Sequence, residues 1–325
     1  MIESIARHRE EFLTYLKDQN YPEDPAELYE PIRYIMELGG KRIRPVLVLL
    51  SADLYGADPQ SAMPAAMAVE VFHNFSLVHD DIMDAAPLRR GRQTVHHKWD
   101  INTAILSGDA MLIEAYRQLE AYPPAVFKEL LMIFSKTALE VCEGQRYDMD
   151  FETMDQVKID QYLHMIEYKT AVLLGCALKM GAVVGGASLA DQHALYAFGI
   201  NLGLAFQLQD DYLDVFGDPE TFGKQVGGDI IENKKTFLYL KSLELAREDE
   251  VRELRDLYSI KPRNPDSKIK RVSQLFESSG AAEAAKTNIL DYTQKAFNHL
   301  EGLELSEAKK GDLRDFGQWL LNRNF

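Results

Sequence analysis

The chain is poor in cysteine, in long apolar runs and in surplus basic charge, and each shortage excludes a class of protein. Its 325 residues include only two cysteines, which excludes a disulfide framework or cysteine-based zinc site. No uncharged stretch is long and apolar enough to predict a membrane span. The net charge of −15 argues against nucleic-acid binding. Because the first residues also lack the apolar core of a signal peptide, we expect a cytoplasmic protein.

The residues that are present predict a helical protein with a substantial core. Hydrophobic residues make up 46% of the chain, and charged residues are spread along its whole length. Apolar residues recur at spacings of three and four, which is the period of an α-helix. No Pro- or Ser-rich linker divides the chain. We therefore predict an all-α fold with one domain over residues 1–325, built as a bundle of long helices around a deep central cavity.

Two acidic pentads interrupt the apolar pattern, at 80–84 and 210–214, and both read D-D-x-x-D. Residues four apart share one face of a helix, so the first and last carboxylates of each pentad project together. A single cluster of this kind is explained equally well as a solvated helix face. Two copies in apolar surroundings, each followed by basic residues, favour a site that Mg²⁺ neutralises, with Mn²⁺ as the alternative. The candidate metal ligands are Asp80, Asp81, Asp84, Asp210, Asp211 and Asp214.

Basic residues accompany both pentads. The segment GGKRIRP (39–45) places cations around a flexible turn, RRGR (89–92) follows the first pentad, and lysines follow the second. Standing alone, the first cluster is explained equally well as a solvated helix end. Beside metal-binding carboxylates, cations are what a diphosphate requires, because Mg²⁺ shares phosphate oxygens. His73, two turns before Asp80, is a further candidate donor, although a lone His in an apolar helix is more often a core residue.

In their order along the chain, these segments resemble the trans-isoprenyl diphosphate synthases, also called polyprenyl synthetases. The matching segments are GGKRIRP (39–45), the helix at 71–96, EGQRYD (143–148), EYKTA (167–171) and the stretch 206–236. The resemblance implies an all-α, usually homodimeric enzyme. Such enzymes condense isopentenyl diphosphate with dimethylallyl, geranyl or farnesyl diphosphate, giving a longer trans-prenyl diphosphate and pyrophosphate.

The same resemblance implies a role for each matching residue. The two pentads would hold three Mg²⁺ ions per active site. The allylic diphosphate would contact Arg89, Lys169 and Lys224, with Lys234 nearby. Isopentenyl diphosphate would occupy a basic pocket formed by Lys41, Arg44, His73 and Arg90. Thr170 and Gln207 would line the reacting centre, and Gln145 and Asp148 would lie close to the first pentad.

The chemistry accounts for these residue types. Breaking an allylic C–O bond leaves extra negative charge on the diphosphate and a carbocation behind it. Metals and fixed cations stabilise the leaving group, so no Ser or Cys nucleophile is needed. Water would quench the carbocation, which favours a site enclosed by apolar helices.

Product length depends on residues ahead of the first pentad. Phe75 lies five and Ser76 four positions before Asp80, and helix geometry alone does not decide which of them forms the floor of a tail cavity. Ordinary core packing explains Phe75 equally well. Within the family, one aromatic and one small residue here, with no insertion in the pentad, resemble archaeal-type short-chain enzymes. The expected product range is C15–C20, with geranylgeranyl diphosphate favoured and farnesyl diphosphate second.

Two other functions share parts of this pattern. A class I terpene cyclase has one D-D-x-x-D and needs no second diphosphate pocket. A non-catalytic subunit of a heteromeric synthase usually loses one pentad, whereas this chain keeps both. The family often ends in a basic tail near the active site, and Arg323 is the one candidate for it within the last five residues.

Overall fold

The computed structural model describes residues 3–218 and 226–321, and these residues are almost entirely helical. The predicted all-α class is therefore confirmed. The chain forms two compact units, one from the described residues of Met1–Ala138 and Leu173–Tyr196, the other from those of Leu139–Val172 and Ala197–Phe325. That the whole chain is one domain stays a prediction. None of the helices in the described ranges has the length and apolar composition that a bilayer crossing requires.

Seven helices come first along the chain, and the last of them continues from the first unit into the second. They are α1 (Glu3–Lys17), α2 (Ala26–Glu37), α3 (Ile43–Leu54), α4 (Pro59–Met83), α5 (Val95–Lys98), α6 (Ile101–Gln118) and α7 (Pro124–Thr153). A short antiparallel hairpin, β1 (Leu88–Arg89) and β2 (Arg92–Gln93), follows α4.

The remaining helices begin with α8 (Ile159–Ile166), which runs into a π-helical turn at Glu167–Ala171. They continue with α9 (Val172–Val184), α10 (Leu189–Phe216), α11 (Gly228–Glu232), α12 (Phe237–Leu245), α13 (Glu248–Leu257), α14 (Asp266–Ser278), α15 (Ala281–Glu301) and α16 (Glu307–Leu321).

Helix α4 positions the first pentad within the first unit. Asp58 caps its N-terminus by accepting a hydrogen bond from the Gln60 backbone N–H, and Pro59 occupies the first turn, where it costs no hydrogen bond. The helix is buried along most of its length and packs against α3 and α6. It ends at Met83 within the pentad, with Asp84 as its C-cap, and the next residue, Ala85, has a φ of 49°. The first acidic pentad therefore lies at the C-terminal end of a core helix.

The hairpin after α4 turns the chain back beside that pentad. Arg90 and Gly91 occupy its tip with φ values of 53° and 76°, the left-handed pair that two-residue hairpin turns require. Arg89 lies on β1, and Arg90 lies in the turn itself. Two of the predicted cations thus occupy defined backbone positions.

The second unit has its own apolar core. It is formed by residues of α10, α12, α14 and α15 together with the end of α7 and α8, and it includes Leu208, Tyr212 and Leu213. On α10, these residues lie beside and between the aspartates of the second pentad. The same helix that carries the acidic residues is therefore anchored by the core, which holds their side chains in place.

Candidate active site

The first pentad is organised by Arg89. The Arg89 Nε donates to Asp81 Oδ1 at 2.8 Å, and its Nη2 lies 3.4 Å from Asp80 Oδ2. Asp81 is 1% exposed, and its second oxygen is buried without a hydrogen-bond partner. Burial raises the pKa of Asp81, against the opposing effect of the Arg89 guanidinium. Asp80 is half-buried and Asp84 is exposed, so these two carboxylates have access to solvent while Asp81 supports them from inside.

The basic turn lies against α4 in the same unit. Arg44 Nη1 donates to His73 Nε2 at 3.2 Å, and the Arg90 guanidinium donates to the carbonyl oxygens of Leu38, at 2.6 Å, and Gly39. Burial and then the nearby charge of Arg44 hold the pKa of His73 well below its ordinary value. The structure thus brings together Arg44, a neutral His73 and Arg90. Lys41 is exposed on the same turn.

Glycine is required where Arg90 crosses this turn. Gly40 has a φ of 136°, and a Cβ atom there would lie 2.8 Å from Arg90 Nη1. A side chain at this position would collide with the guanidinium and strain the backbone. The turn predicted from the two glycines is closed by Arg90, which donates to its carbonyl oxygens.

Sequence reasoning missed a buried ion pair beneath the turn. Arg42, in the left-handed region with a φ of 51°, donates to the Glu70 carboxylate and to the carbonyl of Met36. Asn74 Nδ2 also donates to Glu70 Oε1, at 3.1 Å. Glu70 and Asn74 are polar residues four apart in an otherwise apolar helix. Because buried polar groups need partners, that spacing was the available signal.

The second pentad is anchored by a chain of hydrogen bonds. Tyr162 donates its phenolic hydrogen to Asp211 Oδ2, and Gln207 Nε2 donates to Asp211 Oδ1 at 3.1 Å. Thr170 Oγ1 donates to Gln207 Oε1 at 3.3 Å, which fixes the orientation of the Gln207 amide. Burial, followed by the charge of Asp229, raises the pKa of Asp211 well above its ordinary value. The predicted pair Thr170 and Gln207 is therefore in contact, whereas Tyr162 was not predicted.

A further carboxylate joins this pentad. The Asp229 backbone N–H donates to Asp214 Oδ2 at 3.0 Å, and burial together with the charge of Asp214 raises the pKa of Asp229 to about 7. Sequence reasoning did not single out Asp229. The nearby predicted residue Lys234 pairs with Glu232 at 3.4 Å and lowers the pKa of Asp229 in opposition to the larger effects. The predicted residues Lys224 and Arg323 lie outside the described residues.

The predicted cation Lys169 lies in the π-helical turn. Its Nζ is 2.6 Å from Asp148 Oδ2, so one family motif supplies the cation and another its counter-charge. Gln145 lies one turn before Asp148 on α7. The expectation that Gln145 and Asp148 lie close to the first pentad stays a prediction.

The carboxylates fit oxygen-loving divalent ions. A buried oxygen of Asp81 has no hydrogen-bond partner. The raised pKa values of Asp211 and Asp229 reflect burial first and then the charge of neighbouring carboxylates, both of which a bound cation would offset. Across the part of the chain that the structure describes, no group of three or more His, Cys, Asp or Glu side chains could by itself hold a metal. Mg²⁺ and Mn²⁺ accept an all-oxygen donor set, and Mg²⁺ completes it with water and phosphate. The donors therefore fit ions shared with a diphosphate.

Comparison with known proteins supplies the family. The profile of the polyprenyl synthetase family matches residues 25–276. A short chain isoprenyl diphosphate synthase of Methanothermobacter thermautotrophicus is 40% identical over 287 residues, which cover 88% of this chain and 87% of that protein. A geranylgeranyl pyrophosphate synthase of Geoglobus acetivorans is 37% identical over 332 residues and 100% of both chains. The crystal structure of a geranylgeranyl pyrophosphate synthase is 53% identical, with a TM-score of 0.95 over 100% of both chains. The chain therefore belongs to the polyprenyl synthetase family and is a prenyl diphosphate synthase, as its motifs predicted.

Proposed function

We propose that this chain is a cytoplasmic, Mg²⁺-dependent geranylgeranyl diphosphate synthase that adds isopentenyl diphosphate, head to tail, to an allylic diphosphate. The observation that carries the proposal is the presence of two different anion sites on one chain. One is the basic turn with Arg44, His73 and Arg90, which contains cations and a neutral donor. The other consists of carboxylate clusters that attract a diphosphate only through shared cations. A two-diphosphate reaction needs both.

The residues divide the work of this reaction. The basic turn binds the diphosphate of isopentenyl diphosphate, with Lys41 and Arg44 as cations and neutral His73 as a hydrogen-bond partner. Lys169 stabilises the negative charge that develops on the leaving allylic diphosphate. Bound Mg²⁺ would supply further charge neutralisation on that diphosphate. The Thr170 hydroxyl and the Gln207 carbonyl oxygen direct their dipoles toward the developing carbocation.

The test is a product assay. The purified protein is incubated with Mg²⁺, labelled isopentenyl diphosphate and dimethylallyl, geranyl or farnesyl diphosphate in turn, and the dephosphorylated alcohols are separated by chromatography. We expect C20 alcohol from each primer, loss of product with a chelator, and recovery with Mg²⁺ or Mn²⁺. Hydrocarbon from a primer alone would indicate a cyclase, and no product from any primer would indicate an inactive subunit. Either result overturns the proposal.

An exposed apolar face supports a homodimer. On α6, Ile101, Ile105 and Ile113 follow the spacing of one helix face, and each is at least 40% exposed. Leu106, next to that face, and Met132 on α7 are also exposed. Apolar patches of this kind mark interaction surfaces. Light scattering tests the proposal, because a dimer has twice the 36.9 kDa mass of the chain.

Product length gives a separate prediction at Phe75. This residue is buried, and its ring lies 5.5 Å from that of Phe72 and 4.8 Å from that of His79. If the ring blocks the growing tail, Phe75→Ala removes the obstacle, and we expect C25 and longer alcohols in place of C20. The same chromatography measures the shift.

The controls for Phe75 separate blocking from packing. Truncating a core phenylalanine costs about 3–5 kcal/mol, so Phe75→Leu is made as a milder variant and the Tm of each is recorded. Ser76→Ala is the matched neighbour, since the Ser76 hydroxyl only donates to the carbonyl of His73 within its own helix. An unchanged product from a folded Phe75→Leu and Phe75→Ala pair would rule out Phe75 as the floor.

The buried pair of Glu70 and Arg42 lies beneath the basic turn, so a change at Glu70 should weaken the binding of isopentenyl diphosphate alone. Glu70→Gln keeps the shape but removes the counter-charge of Arg42, which caps α3 between Lys41 and Arg44. Breaking a buried pair costs ~3–5 kcal/mol of stability. We expect KM for isopentenyl diphosphate to rise about tenfold or more, equivalent to ~1.4 kcal/mol of binding. KM for the allylic primer should change little, as steady-state kinetics will show.

A matched control for Glu70 is Glu283→Gln. Its carboxylate is exposed and pairs with Lys286 at 3.8 Å, so its loss should leave the Tm and both KM values near those of the parent. Equal increases in both KM values of Glu70→Gln would contradict a role confined to the basic turn.

A further inference from the structure

The turn between α8 and α9 has π-helical rather than α-helical geometry. It covers Glu167–Ala171 and includes both Lys169 and Thr170. A π turn inserts one extra residue into a helix, is rare, and occurs frequently at functional sites. An ordinary α-helix through this segment would rotate the residues on either side relative to each other by ~100°, the angle per residue at 3.6 residues per turn. The direction of Lys169 and Thr170 therefore depends on what holds this turn.

One side of the turn is held by Gly144 on α7. A Cβ atom at Gly144 would lie 2.6 Å from the carbonyl carbon of Tyr168 and 2.7 Å from Lys169 Cα, and closer still to the backbone nitrogen of Lys169. These are backbone atoms that no change of rotamer moves aside. One helical turn after Gly144, Asp148 receives the Lys169 ammonium at 2.6 Å. On helix α7, Gly144 therefore leaves room for the backbone of the turn, and Asp148 holds the side chain of Lys169.

The other side is held by Gly203 on α10. A Cβ atom there would lie 2.7 Å from both Cα and Cβ of Ala171. One helical turn after Gly203, Gln207 accepts the hydrogen bond from Thr170 at 3.3 Å. The arrangement on α7 is repeated: a glycine without a side chain, then a polar partner four residues later.

Both glycines lie within long helices and neither has a positive φ, so no turn explains them. Glycine in a helix interior is less stable than alanine by roughly 0.5–1 kcal/mol. Their presence therefore needs another reason, and the close backbone approach supplies it. A side chain at either glycine would push the turn away from its two polar partners, Asp148 and Gln207.

We propose that Gly144 and Gly203 are positioning residues that hold the π-helical turn so that Lys169 and Thr170 face the reacting diphosphate. This inference rests on the proposed function. The test compares Gly144→Ala and Gly203→Ala in the product assay. A displacement of about 1 Å costs about 10²-fold in rate, so we expect kcat to fall by that order. KM for isopentenyl diphosphate depends on the basic turn, so it should stay within about threefold of the parent value. That is a smaller change than tenfold, which corresponds to ~1.4 kcal/mol of binding.

The matched control is Gly311→Ala on α16. Gly311 also lies inside a helix of the second unit, and nothing lies within 4 Å of a Cβ atom placed there. This variant should keep the parent kcat, and its Tm should equal or slightly exceed that of the parent, because alanine is the better helix former. A second variant, Ala171→Gly in the Gly203→Ala background, removes one of the two colliding atoms and should recover part of the lost kcat.

A double-mutant cycle separates positioning from a general loss of structure. If Gly144 acts through Lys169, adding Gly144→Ala to Lys169→Met should lower kcat little further, although both changes still lower the Tm. Losses in kcat that multiply in the double variant, or a Gly144→Ala enzyme with unchanged kcat, would overturn the inference.

Hydrogen exchange gives a readout that does not depend on activity. Amides of residues 167–171 should exchange faster in Gly144→Ala and Gly203→Ala than in the parent or in Gly311→Ala. Unchanged exchange in this segment would also overturn the inference. If the parent protein itself makes no prenyl product, the proposed function fails, whereas the exchange comparison still decides whether the glycines hold the turn.

Discussion

Asp80→Asn is expected to lower kcat by about 10³-fold without unfolding the protein, because it removes a charge from the first carboxylate cluster. The amide has the shape of the carboxylate but neither its charge nor its affinity for a divalent cation. Asp80 is half-buried at the end of α4, with Arg89 Nη2 3.4 Å from one of its oxygens. Steady-state assays at increasing Mg²⁺ concentrations measure the effect, and the Mg²⁺ requirement should rise together with the loss of rate.

The control is Asp109→Asn on α6, in the same unit. Asp109 is an exposed aspartate whose nearest cationic candidate, His79 Nε2, is 3.9 Å away. It undergoes the same change of charge and shape, and we expect its kcat to stay within about twofold of the parent, as for surface substitutions. If Asp80→Asn and Asp109→Asn behaved alike, the first pentad would not be a metal-binding wall.

The helices and the acidic residues could be predicted because their signals are local. Apolar spacing of three and four predicts α4 and α10, and the pentads require only that residues four apart share a face. Family motifs then placed Arg44 with His73, and Thr170 with Gln207, and the structure brings both pairs into contact. In each of these pairs the partners come from different helices, so the pattern of one segment alone could not have joined them.

The residues that were missed depend on contacts between distant parts of the chain. Tyr162 is 49 positions from Asp211 and reads as an ordinary apolar helix residue, and Glu70 is 28 positions from Arg42. Arg42 was also counted among the cations around a flexible turn, but it is buried and pairs with Glu70 on α4. Polar partners of this kind follow from tertiary packing, which local periodicity does not encode.

The π-helical turn shows the same limit. The segment EYKTA has the composition of a regular helix, and nothing in it indicates an extra residue per turn. The irregularity depends on Gly144 and Gly203, which precede and follow it by more than twenty positions. The two glycines were visible in the sequence, but a glycine inside a helix becomes informative only when the atoms opposite it are known.

Lys169→Met should lower kcat by about 10²–10³-fold, the range found when one preorganised stabilising group is lost. The change removes a cation that the π-helical turn directs and leaves the Asp148 carboxylate without its 2.6 Å partner. Lys241→Met is the matched control, because Lys241 is 27% exposed against 28% for Lys169 and also pairs with a carboxylate, that of Glu244 at 2.8 Å. Its kcat should be close to that of the parent.

Asp148→Asn then distinguishes two explanations for the effect of Lys169. If the ammonium acts on the leaving diphosphate and Asp148 only orients it, Asp148→Asn should cost kcat far less than Lys169→Met, because the cation remains and the amide oxygen still accepts a hydrogen bond. If the two variants lose the same activity, the ion pair itself is what the enzyme needs, and Lys169 acts as a structural bridge between α7 and the π-helical turn. Single-turnover rates with farnesyl diphosphate separate these outcomes, since they report on bond cleavage without product release.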